Sequence, residues 1–385
     1  MKKRFYFDYA ASTPIDPLVL KEMLKHLKED FANSMSLHTL GQKAASAVEG
    51  SRRKIAKIIN AQPEEIVFTS SATESNNLAL KGVAFANKNR GKNHIVVSKI
   101  EHDCIMESAR WLQRQGFFVD WLDVDKYGFV NIDQLKKLIR KETVLVSVIH
   151  ANNEIGTIQD IAEIGRVCRK ASVYFHTDAS QSFAREKIDV EAMNIDLLTA
   201  SSHKIYGPKG VAILYVKKGV IIEPILHGGG HEKGLRSSTL NVPAIVGFAK
   251  AAETMDKKKD SENKKLSKLR DYLISKILTK IPRTRLNGHP TKRLANNVNI
   301  SFNGVEGESL LMELDCHGIE VSTGSACSSK NLMPSHVLMA LGLPPQEAHG
   351  SLRITLGRFT KKSEIDYLIK TLIKVVKKLR KVSPF

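Results

Sequence analysis

The chain has 385 residues, of which 42% are hydrophobic and 26% charged, and a formal net charge of +19. Apolar content at this level supports a large buried core and two or three domains, and it excludes a disordered chain. Four scattered cysteines (Cys104, Cys168, Cys316 and Cys327) exclude a disulfide scaffold, and without a C-x-x-C pair they argue against structural zinc.

The chain opens Met1-Lys2-Lys3-Arg4, and the apolar run Phe5-Tyr6-Phe7 is shorter than the roughly 7–15 residues of a secretory signal core. No segment approaches the roughly 18 apolar residues of a membrane span. The expectation is a cytoplasmic protein with reduced thiols and no membrane association. The lysine runs Lys257-Lys258-Lys259, Lys264-Lys265 and Lys377-Lys378 lack interleaved aromatics that could stack on bases. They read as solvated surface, or as a surface drawn to an acidic partner protein, rather than a nucleic-acid site.

Apolar runs predict strands at 66–69, 94–98, 118–122, 144–150, 173–177, 195–200 and 211–216, with helical periodicity between them, as in Ile161, Ile164, Val167 and Cys168. Near-continuous apolar strands alternating with helices predict an α/β fold with a mostly parallel, doubly wound sheet of seven strands. After about Asn241 the pattern changes to a long helical stretch with the polar run Asp256–Lys265. A strand at 297–302, a helix from near Glu306, a serine-rich loop at 322–329 and a terminal amphipathic helix follow. The expected division is a large domain over 15–255, and a smaller α+β domain from 1–14 and 256–385 that carries the Cys327 loop.

Ligands in open α/β sheets collect at the carboxyl ends of strands. After the first predicted strand, Ser71 and Glu74 have capping-box spacing, and a helix start there, with the Thr73 hydroxyl, suits a phosphate. Adjacent asparagines, Asn152 and Asn153, follow the fourth; alone they read as turn formers. Asp178 follows the fifth, where it is either a helix cap or an acid that holds a protonated ring nitrogen. Ser201-Ser202-His203-Lys204 follows the sixth. A partly desolvated lysine there favours the neutral amine needed for an imine, with Ser201 and His203 beside it to bind phosphate. A lysine, an acid and a phosphate cup are what pyridoxal 5′-phosphate requires, and His102 is placed to stack on its ring. His227 and His231 are four apart, but the three glycines between them disfavour a helical metal site. Cys327 lies among small, flexible residues, the setting of a reactive thiol.

The segments DYAASTP (8–14), TSSATESNN (69–77), IEHD (100–103), NNEIG (152–156), TDASQS (177–182), SHKIYGPKG (202–210), HGGGHE (227–232) and STGSACS (322–328) together closely resemble the cysteine desulfurases, class-V members of the type I aminotransferase fold. The serine-rich loop around Cys327 is similar to the long-loop branch serving iron–sulfur assembly. The resemblance implies that Lys204 binds the cofactor aldehyde, His102 covers the ring, Asp178 pairs with the ring nitrogen and Gln181 meets the ring hydroxyl. Ala72, Thr73, Ser201 and His203 would hold the phosphate, with Thr239 joining from a second subunit of a homodimer. Asn153 and Arg353 would orient L-cysteine, and Cys327 would accept its sulfur and pass it to an iron–sulfur scaffold or a tRNA-thiolation relay. Cys327 is also a candidate transient cluster ligand; no resident metal is expected. Ser71, Ser202 and Ser238 stand where the family pattern has glycine, a costly exchange wherever the backbone needs φ > 0.

An aminotransferase or a selenocysteine lyase could share this fold and cofactor site. A basic RNA-binding protein that has lost catalysis would need those site residues broken, and they are intact.

Overall fold

A computed structural model describes residues 4–324 and 334–382; Cys327 lies outside the described residues. The strands are β1 (Phe5–Tyr6), β2 (Ile66–Thr69), β3 (His94–Ser98), β4 (Phe118–Leu122), β5 (Thr143–Ser147), β6 (Tyr174–Asp178), β7 (Leu197–Ser201), β8 (Ala212–Val216), β9 (Thr284–Leu286), β10 (Asn297–Phe302), β11 (Ile319–Glu320) and β12 (Ser351–Thr355).

Seven of them form one sheet in the order β2-β8-β7-β6-β5-β3-β4. Residues of β2, β3, β5, β7 and β8 are buried throughout, because helices cover both faces. All neighbours run parallel except β8, which is antiparallel to both β7 and β2. Two reversals restore the direction, so β2 ends at the same sheet edge as β3, β5, β6 and β7. The chain segments that leave this common edge converge on one place.

A second, antiparallel sheet has the order β12-β10-β9, and β1 pairs in parallel with β11. Its core joins Phe7 to apolar residues between Leu266 and Val376. The helix Val242–Lys280 belongs to both cores. Asn241 caps its start, Val242–Met255 packs under the large sheet, and Leu266–Ile277 packs under the small one. The polar run 256–265 bridges the two, which explains its lack of an apolar face.

Arg358 ties the two sides together. It donates to Asp16 Oδ2 at 2.6 Å and Glu262 Oε2 at 2.7 Å, and its guanidinium lies 4.2 Å from the Tyr206 ring centre. Among the described residues, no helix is long and apolar enough to cross a membrane.

Strand β12, with Arg353 at its centre, alternates polar and apolar residues as a half-buried strand does, and nothing in that pattern announces that its polar face is buried too. Its neighbours decide its conformation: all five of its residues are buried against β10 and the chain entering from β1.

Candidate active site

A cleft of about 230 Å³ opens at the common edge of the large sheet, lined by residues from both sheets. Ser71, Ala72 and Thr73 enter it after β2, His102 and Cys104 after β3, and Ile149 and Asn153 after β5. Asp178, Ser180 and Gln181 come from the end of β6, His203 and Lys204 follow β7, and Arg353 reaches in from β12.

Ser71 caps the helix Ala72–Asn77, its hydroxyl accepting from the Glu74 N–H at 3.1 Å. The capping box is half formed, because Glu74 turns to the Ser70 N–H at 2.8 Å and pairs with Arg236 at 2.7 Å. Ser71 has φ −164°, an extended conformation open to any residue. Ser202 and Ser238 also keep negative φ, so none of the three serines is strained where the family pattern has glycine. The Ser202 hydroxyl faces Gly207 rather than the cleft.

Asp178 is buried at the cleft floor. Asn76 Nδ2 donates to its Oδ2 at 2.7 Å, and the Ser180 N–H donates to its Oδ1 at 2.8 Å. The Ser180 hydroxyl beside it is buried without a partner among the described residues. Lys204, in a tight turn after β7, donates from Nζ to the Ala10 and Ala11 carbonyls at 2.7 and 2.9 Å. Arg185 Nη2 holds the Lys204 carbonyl at 2.8 Å. Burial, reinforced by Lys204 and Lys209, pushes the His203 pKa down to about 4, so its imidazole is neutral at pH 7.

Arg353 is almost wholly buried. It donates to Asp8 Oδ1 at 2.8 Å and to the Asn153 carbonyl at 3.1 Å, while its Nε has no partner among the described residues. Asn152 has a different task from Asn153. Its side chain accepts from the Glu154 and Ile155 N–H groups and donates to the Ile100 carbonyl, building the turn that presents its neighbour. Glu101, fully buried beside His102, accepts from Ser98 and from the Ile149 N–H at 2.6 Å. Burial pushes its pKa up to about 8.

The structure thus brings together Ala72, Thr73, His102, Asn153, Asp178, Gln181, His203, Lys204 and Arg353. Ser201 is buried in β7 and is not among the cleft-lining residues. Thr239 is exposed and also lies outside the cleft of its own chain. The HGGGHE loop lines a separate cavity, where Glu232 is buried against Arg52 at 2.8 Å. Sequence reasoning missed the roles of Ala10 and Ala11, whose backbone oxygens carry no side-chain signal. It also missed Cys104, which lines the cleft two residues after His102.

This architecture and cleft are those of the class-V aminotransferase family, to which the chain belongs: the family's sequence pattern, described as "Aminotransferase class-V", matches residues 5–368. Within that family the likeness is to the cysteine desulfurases. The relative named cysteine desulfurase IscS from Dictyoglomus turgidum is 48% identical over 385 residues, covering 100% of this chain and 98% of its own. A solved NifS-like protein is 37% identical with a TM-score of 0.92, covering 98% of this chain and 100% of its own. A structure described as SspA in complex with cysteine is 37% identical with a TM-score of 0.83, covering 93% of this chain and 100% of its own.

Proposed function

We propose that this protein is a pyridoxal-phosphate-dependent cysteine desulfurase that converts L-cysteine to L-alanine and leaves the sulfur as a persulfide on Cys327. The observation that carries the reading is the convergence on one cleft of Asp178 and Lys204, from two strand ends of the large sheet, and Arg353, from the middle of β12 in the small one. The donor set suits the cofactor. A buried carboxylate stands ready for a ring nitrogen, a helix start and a neutral His203 offer donors to a phosphate, and the Ser180 hydroxyl has no partner among the described residues. When bound, the cofactor supplies the electron sink for bond breaking at the substrate α-carbon.

The residues divide the remaining work. Lys204 would exchange the Ala10 and Ala11 carbonyls for the cofactor aldehyde, and its Nζ, released once the substrate amine takes that place, would move the substrate Cα proton. His102 covers the ring, Asp178 keeps the ring nitrogen protonated and Gln181 meets the ring hydroxyl. Ala72, Thr73, Ser201 and His203 take the phosphate, with Thr239 joining from the second subunit of a homodimer. Arg353 and Asn153 orient the substrate carboxylate, for which Arg353 has an Nε without a partner among the described residues. The Cys327 thiolate attacks the substrate sulfur. The carbon–sulfur bond breaks, a sulfur–sulfur bond forms, and protonation of the carbon fragment yields alanine. The persulfide then passes to a cytoplasmic acceptor, an iron–sulfur scaffold or a tRNA-thiolation relay.

The test is to purify the protein, record its yellow cofactor absorbance, and follow alanine and persulfide after adding L-cysteine. Cys327→Ser should keep the absorbance and abolish alanine formation. Full desulfuration by that variant would overturn the assigned acceptor, and amino transfer without sulfur release would overturn the reaction.

A further inference from the structure

His102 serves as the N-cap of the helix Asp103–Arg114, its Nδ1 accepting from the Cys104 backbone N–H at 3.2 Å. A backbone amide can only donate, so Nδ1 carries no proton and the neutral ring holds its proton at Nε2. The Cys104 Sγ lies 3.1 Å from the same Nδ1, and with that nitrogen fixed as acceptor the thiol is the donor. The sulfur in turn accepts from Asn76 Nδ2 at 3.2 Å. The same Nδ2 donates to Asp178 Oδ2 at 2.7 Å. Turning the Asn76 amide over would set its carbonyl oxygen against the Asp178 carboxyl group, so the direction of each bond follows from the chemistry at both ends.

We propose that Asn76 and Cys104 form a relay from Asp178 to His102, in which Cys104 is a positioning residue that locks the tautomer and orientation of the His102 ring. A cap alone needs no thiol, since any N-cap acceptor satisfies the Cys104 N–H. The thiol adds a second donor to the same nitrogen. A flip of the ring would set the carbon Cδ2 against both donors and lose both bonds. Held this way, His102 presents an N–H at Nε2, the form that delivers a proton. The chain of bonds also couples the ring to Asp178, so a change at one end of the cleft is felt at the other. The inference rests on the reading of the cleft as a cofactor site. The alternative is plain packing, since Cys104 also touches the apolar core under β3.

The experiment compares Cys104→Ala, Cys104→Ser, His102→Ala and the Cys104→Ala/His102→Ala double variant as holoenzymes. Cys104→Ala should lower kcat for alanine formation about 3–10-fold, the worth of one hydrogen bond, with KM little changed. Cys104→Ser restores the donor and should recover most of the loss. In the His102→Ala background, Cys104→Ala should add nothing. Iodoacetamide labelling of Cys104, read by peptide mass spectrometry, reports on the same contact without activity: His102→Ala should slow it, because the thiol loses its proton acceptor. A serine variant as impaired as the alanine one, equal losses with and without His102, or unchanged labelling would each overturn the proposal. Wild-type protein that makes no alanine would instead overturn the functional reading, and the labelling result would still decide the relay.

Discussion

Two cavities in this molecule hold buried charge, and they use it in opposite ways. In the one beneath the HGGGHE loop, Arg52 and Glu232 satisfy each other. Two bonds of 2.8 Å join them, Glu232 also accepts from the Phe68 N–H, and Arg52 donates to the Ile66 carbonyl. Among the described residues, the polar atom left over there is an imidazole nitrogen, Nδ1 of His231. In the cleft at the sheet edge, Asp178 accepts from an amide and a backbone N–H, Lys204 donates to two carbonyls, and Arg353 pairs with Asp8 yet leaves its Nε, like the Ser180 hydroxyl, without a partner among the described residues. Lys204 rests on two carbonyls that it can leave at little cost. A buried charge that is fully paired specifies structure, whereas one held by exchangeable partners is prepared for a ligand.

The largest effect that sharpens this contrast is on the cleft side. Lys204→Ala should lower alanine formation from L-cysteine by roughly 10²–10⁴-fold, the scale of a lost proton-transfer group, while the unfolding midpoint in urea changes little. A comparable loss of stability would break the distinction. Next, Arg52→Ala leaves Glu232 buried and unpaired, which should cost about 3–5 kcal/mol in urea unfolding. Activity per folded molecule should stay close to wild type; a selective loss of activity would place that cavity in the catalytic machinery.

The smallest effect concerns pH. Burial raises Glu101 to about 8, so the folded state keeps a proton that the unfolded chain releases near the ordinary value of about 4.5. That contribution is fully present below pH 4.5 and is lost as pH rises toward 8. The buried imidazoles of His150, His176 and His203, lowered to about 4, act with the opposite sign: they erode stability as pH falls from 6.5 toward 4. Between pH 6.5 and 8 the Glu101 slope stands apart from these histidines, at no more than about 1.4 kcal/mol per pH unit. Glu101→Gln should flatten it in urea titrations across that window, and an unchanged slope would remove Glu101 as its source.

The resemblance of the NNEIG, TDASQS and SHKIYGPKG segments pointed to the cleft residues, and most of them meet there. The limits are physical. Asn152 and Asn153 look alike in sequence, yet one builds the turn and the other lines the cleft, because facing is set by the loop around them. Ser202 sits beside Lys204 in sequence but turns toward Gly207. The HGGGHE loop has the look of site chemistry, and its acid is taken by an arginine 180 positions earlier in the chain.

By itself, the order of apolar strands and amphipathic helices determined the doubly wound sheet, since burial on both faces leaves a periodicity that any reader of the chain can see. It also determined the chemistry on offer: a lysine, an acid and a capped helix, each following a strand. Tertiary structure alone decided that β8 runs antiparallel and so returns β2 to the common edge, that Arg353 reaches in from the second sheet, and that Ala10 and Ala11 meet Lys204. These depend on contacts between residues far apart in the chain, made by backbone atoms and strand directions, which leave no local mark in sequence.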